Sequence, residues 1–317
     1  MKRPQSVPTW ERSKRQWFRV LLNLRCSVIP AITPRVALCT GFGVLISVLH
    51  WLNFNVSLPI LSSVVPSIVL GLLLVFRTNT AYERFWEGRK QWGTLVNTVR
   101  NLARTIWVTI VAPEPEDRRQ KVAALRLLVA FAVATKLHLR SEMVNRELTA
   151  LMPQRRYELL QHMNHPPLEI ALWIGDYLQQ QYERQCVNAY QLTAMFKLLD
   201  IMVDVLGACE RILKTPLPLA YSIHIKQLLL IYCLTLPFQV VAELGWWTGL
   251  IVGVISFSVF GIEEIGIEIE NPFGHDPNDL PLDDICKTML INVEDLIAVA
   301  NKNDGVVPYG EGEVIAD

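Results

Sequence analysis

An all-α membrane protein, with four membrane-spanning helices per chain and a large helical portion outside the bilayer, is the fold class this sequence predicts. Three observations predict it. Of 317 residues, 51% are hydrophobic and only 19% charged, and the mean hydropathy is positive, a balance that belongs to chains lying largely in lipid. From Val36 to Phe76 there is no Asp, Glu, Lys or Arg. Hydrophobicity then returns over Pro216 to Ala242 and Leu244 to Ile262, interrupted between them by Glu243 alone. Formal net charge is zero, so no basic surplus argues for a nucleic-acid partner.

In chain order, residues 1–35 form a basic segment with Trp10, Trp17 and Phe18 among the charges. Aromatic and basic residues together favour the headgroup layer, so Trp17 to Leu24 reads as a short interfacial helix, closed by Pro30 and Pro34. No apolar core and small-residue cleavage site follow, and the segment does not read as a secretory signal. The uncharged run 36–76 is too long for one crossing of about 20 residues. Asn53, Asn55, Ser57 and Pro59 break it into a hairpin, Val36 to Trp51 and Ile60 to Phe76, with Pro66 in the first turn of the second helix. Residues 77–215 show helical periodicity with charges on one face. Prolines divide them into Thr78 to Val111, Glu116 to Arg140, Pro167 to Glu183 and Asn188 to Leu213, a helical cytoplasmic domain. A second hairpin occupies 216–262, with Trp246 and Trp247 at its turn. Glu263, Glu264, Glu268 and Glu270 open the C-terminal segment 263–317. Basic residues flank the spans and are absent from both hairpin turns, which predicts that both termini and the middle domain face the cytoplasm.

The stretch from Pro66 to Arg89, PSIVLGLLLVFRTNTAYERFWEGR, joins the uncharged helix to the charged one. Ile68, Leu72 and Phe76 recur every fourth residue and stay on one slowly turning face over about 12 Å. Spacing alone fits ordinary packing against lipid or neighbouring helices, and also the lining of a dry constriction. Arg77 to Arg89, with Arg84-Phe85-Trp86 at its centre, and Glu270-Asn271-Pro272-Phe273-Gly274 after the last apolar segment together resemble the bestrophin family of pentameric ion channels. The resemblance covers about Trp17 to Leu296. It implies four spans with both ends inside, a homopentamer in the cell membrane (the thylakoid membrane in a photosynthetic source), and passive conduction of anions, chloride or bicarbonate. It also implies that Ile68, Leu72 and Phe76 of each subunit form a hydrophobic neck, which obstructs ions by dewetting. Leu72 departs from animal members, which carry an aromatic residue there. A second cytoplasmic constriction of the family falls on the helix 188–213, where Leu192, Thr193 and Phe196 are the candidates and core packing is the competing reading for each.

Animal bestrophins follow Asn-Pro-Phe-Gly with a continuous acidic run that binds calcium. Here His275, Asp276, Pro277, Asn278 and Asp279 stand instead, too few hard oxygen ligands for a clasp, so no metal site is carried over and Asp276, Asp279, Asp283 and Asp284 read as helix and turn caps. Six scattered cysteines without CxxC or CxxH pairing predict buried reduced thiols. No HExxH, Gly-rich phosphate loop or serine elbow is present, so neither an enzyme nor a cofactor is expected. A cation channel of the same fold and a non-conducting scaffold remain the rival readings.

Overall fold

The computed structural model describes residues 27–58, 64–112 and 114–303. The expected interfacial helix at 17–24 and the acidic tail beyond 303 lie outside the described residues. Within them the α-helices are α1 (Ile29–Trp51), α2 (Val64–Thr109), α3 (Pro115–Leu139), α4 (Gln154–Gln161), α5 (Pro166–Glu183), α6 (Ala189–Lys214), α7 (Leu219–Leu244), α8 (Thr248–Glu268) and α9 (Leu282–Asn303). The chain forms two compact units, one taking residues up to Glu83 with Leu217–Glu270 and Asp276–Asn278, the other Arg84–Pro216, Asn271–His275 and the residues from Asp279.

In the first unit α1 begins earlier than expected. Pro30 falls in its first turn, where it opens the helix, and Pro34 is carried inside it. A proline in the first turn lacks only an N–H that would be orphaned anyway, and Pro34 forfeits a single ladder bond. Helix α1 packs against α8 at a close approach: a Cβ on Gly249 would lie 2.5 Å from Val44 Cγ2, and one on Gly253 2.6 Å from Thr40 Oγ1. Small residues let membrane helices meet this tightly. Leu70 and Leu74 of α2, with Ile225, Leu229 and Cys233 of α7 and Val252 and Phe260 of α8, fill the core of this unit. Helices α7 and α8 are separated by a 3₁₀ turn at Gly245–Trp247; Gly245 has φ +51°, which a residue without Cβ adopts freely. Trp51 and Trp246 meet there with ring centroids 5.9 Å apart.

The charged ends of these helices are paired. Arg35 reaches Glu264 at 2.8 Å and Glu263 at 3.5 Å. Arg77, 2% exposed, lies 3.8 Å from Glu270, whose carboxylate accepts the Leu217 N–H at 3.0 Å. Glu268 accepts from Asn278 at 2.7 Å. The four glutamates that follow the last apolar run are therefore tied into the unit's own framework.

The second unit is built like a water-soluble domain. Its core joins Trp92, Leu95, Val99, Leu102 and Ile106 of α2 to α3, α5, α6 and α9. Helix α3 is buried over most of its surface, including Lys136, which is 1% exposed and held by Glu147 and Asp283, each at 2.7 Å. Burial alone would lower the Lys136 pKa, but the hydrogen bonds to Asp283 and Glu147 outweigh it and leave the group above its ordinary value. A capping box of Asn188 and Gln191 starts α6. The short helix α4 and the 3₁₀ turn Leu148–Ala150 were not expected from the sequence; α4 is too brief for periodicity to mark it. Burial pushes the Cys209 and Cys286 thiols up to about 12, and the described cysteines are free.

Candidate functional site

The expected neck residues lie on α2 within the first unit. Ile68, Leu72 and Phe76 are 63%, 56% and 56% exposed on the isolated subunit. Leu70, Leu74, Arg77 and Ala81 are buried on the same helix. At 100° per residue the trio centres about 190° from that buried arc, so it occupies the middle of the face that the subunit leaves uncovered. Val65 and Val75 flank it on this face. Val69 is also exposed, whereas Leu73 is partly buried and packed against the core, its carbonyl accepting the Tyr221 hydroxyl at 3.2 Å.

The two sequence motifs meet inside the second unit. Gly88, in Arg84-Phe85-Trp86-Glu87-Gly88, faces Pro272 and Phe273: a Cβ at Gly88 would stand 3.0 Å from Pro272 Cγ and 3.1 Å from the Phe273 ring. Phe273 is wholly buried. Asn271 Oδ1 accepts the Phe273 N–H at 3.3 Å, and the Pro272 carbonyl accepts from Leu280 at 3.0 Å. Gly274 lies where a side chain would strike Asp279 Oδ2, 2.6 Å from a Cβ. Arg84 donates to the carbonyls of Ile212 and Thr215, satisfying acceptors left open at the end of α6. Phe85 packs against the core, while Trp86 is exposed with Lys90 Nζ 5.8 Å from its ring centroid. The motifs thus act as a structural joint between α2, α6 and the loop before α9.

Of the candidates for a second constriction, Leu192 and Phe196 pack against the core of the second unit. Thr193 is exposed, its hydroxyl turned back to the Ala189 carbonyl at 2.8 Å. Asp283, in the first turn of α9, bridges Lys136 and Arg140, the latter at 3.0 Å; these cations hold its carboxyl below the usual range, the Lys136 hydrogen bond contributing most.

Sequence spacing gave no sign of one grouping. His138 Nε2 and His165 Nε2 lie 2.7 and 2.8 Å from the same oxygen, Glu210 Oε1, and Lys214 reaches Oε2 at 3.0 Å. Burial would raise the Glu210 pKa, but hydrogen bonds from Lys214, His165 and His138 hold it down at about 2.

Comparison with known proteins decides the family. The family described as Bacterial/Fungal Bestrophin protein matches residues 9–295. The chain belongs to the bestrophin family. It is 63% identical to a voltage-dependent anion channel-forming protein of Nostoc sp. strain PCC 7120 over 91% of this chain and 94% of that one. A protein of the same description from Synechocystis sp. strain PCC 6803 is 61% identical over 90% and 93%. A solved bestrophin homologue from Klebsiella pneumoniae is 28% identical and superposes with a TM-score of 0.77, covering 84% of this chain and 98% of its own. Bestrophin family members are channels, not enzymes, and the all-α architecture with four apolar membrane helices and a helical cytoplasmic region matches the solved bestrophins.

Proposed function

We propose that this chain is the subunit of a homopentameric anion channel, with both termini cytoplasmic, whose pore is narrowed by Ile68, Leu72 and Phe76. The observation that carries the reading is the uncovered apolar face of α2, centred on these three residues and opposite its buried arc. A ring of such faces makes a dry neck that passes ions only when wetted and holds none in place. One subunit has too few spanning helices to enclose a wide polar path, so the pathway requires several copies. The relatives' description as voltage-dependent anion channel-forming proteins supports chloride or another small anion as the permeant ion, with the lipid bilayer as the remaining partner. On this reading Thr193, exposed on α6, lines the second, cytoplasmic constriction beside Leu192 and Phe196.

Purified protein in a planar bilayer under asymmetric salt tests this. A reversal potential at the chloride equilibrium value, shifting when chloride is replaced by a large organic anion, is the expected result. A reversal that follows the cation identifies the cation channel, and absence of current under any voltage identifies a scaffold.

A further inference from the structure

We propose that His138, His165 and Glu210 form a binding site for a divalent transition-metal cation, with Zn²⁺ the best-fitting member of that class. The three residues come from the last turn of α3, the residue preceding α5, and α6. Their ligand atoms lie within 4.8 Å of one another, and the two imidazole rings lie with centroids 4.5 Å apart, tilted by 37°. Two neutral imidazoles and one carboxylate are a donor set that suits zinc and leaves a fourth position open, whereas calcium and magnesium prefer oxygen alone.

A hydrogen-bonded triad makes the same contacts without metal, and metal uptake distinguishes the two. His165 Nδ1 is buried without a hydrogen-bond partner, a cost that ligation through Nε2 must carry, because the free ring nitrogen then bears the proton. The site is also reachable, since the His165 side chain is 36% exposed. A cavity of about 350 Å³ lined by Glu142, Met143 and Asn164 reaches the cluster at His138. Metal bonds of about 2.0–2.1 Å in a tetrahedral shell place ligand atoms roughly 3.3 Å apart. The present contacts of 2.7 and 2.8 Å must therefore open by about 0.5 Å, each Nε2 giving up its proton to the other ring nitrogen or to solvent.

Other charges face the site. The Lys214 ammonium opposes a cation, but its side chain is 68% exposed and is free to turn into water. Glu142, on the cavity wall, is already engaged by His275. A bound ion would tie α3, α5 and α6 together, bracing the helix that carries Leu192, Thr193 and Phe196.

The test uses tag-free, metal-stripped full-length protein titrated with ZnCl₂ against a chromogenic chelator, with X-ray absorption on the loaded sample. Expected are one zinc per chain and imidazole scattering in its shell. The His138→Gln/His165→Gln protein should lose affinity by roughly tenfold or more, and His275→Gln, which removes the partner of the neighbouring Glu142, should keep it. Should the double variant not fold, His165→Gln alone, on the partly exposed ring, carries the same expectation. Absence of stoichiometric uptake, uptake unchanged by the His138 and His165 substitutions, or loss on His275→Gln would overturn the proposal.

Discussion

Helices α1 and α3 are equally apolar over their best 18-residue windows, yet the first is 28% buried within its unit and the second 78%. Their surroundings account for the difference. Helix α3 carries Asp117, Arg118 and Arg119 near its start and keeps Lys136 inside through two carboxylates, so its apolar residues meet other side chains. Helix α1 carries no such charges beyond Arg35 and turns Leu38 and Leu45 outward, where only hydrocarbon or another subunit offers an apolar environment. The long stretch Leu219–Glu268 breaks at Gly245–Trp247 into two crossings, so the count of four spans comes from α1, the first part of α2, α7 and α8. Apolar composition marks a helix that avoids water; its neighbours decide whether protein or lipid replaces the water.

The sharpest contrast is between core and lipid-facing truncations. Leu128→Ala in α3 removes a wholly buried side chain and should cost roughly 2–5 kcal/mol, whereas Leu45→Ala in α1, about half exposed, should leave detergent-melting temperature nearly unchanged. Equal effects in thermal unfolding would erase the distinction between the units. Gly249→Val comes next: the added Cβ meets Val44, and overpacking of this kind costs about 1–3 kcal/mol, seen as a lower melting temperature, while Gly41→Val, with nothing within 4 Å, should be tolerated.

Replacing Ile68, Leu72 and Phe76 together by alanine should raise single-channel conductance or weaken gating with the oligomer intact on size-exclusion chromatography. Loss of assembly without added current would mean that the face is a packed interface. Leu73, partly buried on the neighbouring arc, is the inward control; Val69 is a poor one because it borders the exposed face.

Acid should act on the second unit through Asp283. Its folded pKa is depressed below the unfolded value of about 3.9 by Lys136 and Arg140, so its contribution is complete above that value and disappears as pH falls through the lower folded pKa. Asp283→Asn should flatten this acid limb in a pH series of thermal melts; an unchanged limb would assign it to other carboxylates. The smallest expected effect is none: removing calcium from the bath should leave current unchanged, because the interrupted acidic run after Gly274 offers too few oxygen ligands. A steep loss abolished by Asp276→Ala would show a clasp there.

Local chemistry by itself determined the helical class, the hairpin breaks near Asn53 and Trp246, the water-facing helices between prolines, and the family through Arg84-Phe85-Trp86 and Asn271-Pro272-Phe273-Gly274. Each depends on composition or spacing within a few turns, which the chain carries wherever it goes. Only the tertiary structure decided what those motifs do, since Gly88 meets Phe273 across a separation that no periodicity records. It likewise decided that Pro34 sits inside α1, that Lys136 is buried among carboxylates, and that His138 and His165 converge on Glu210. These outcomes depend on which distant segment arrives to satisfy a charge, fill a gap or replace a lost hydrogen bond, and that is fixed by packing in three dimensions.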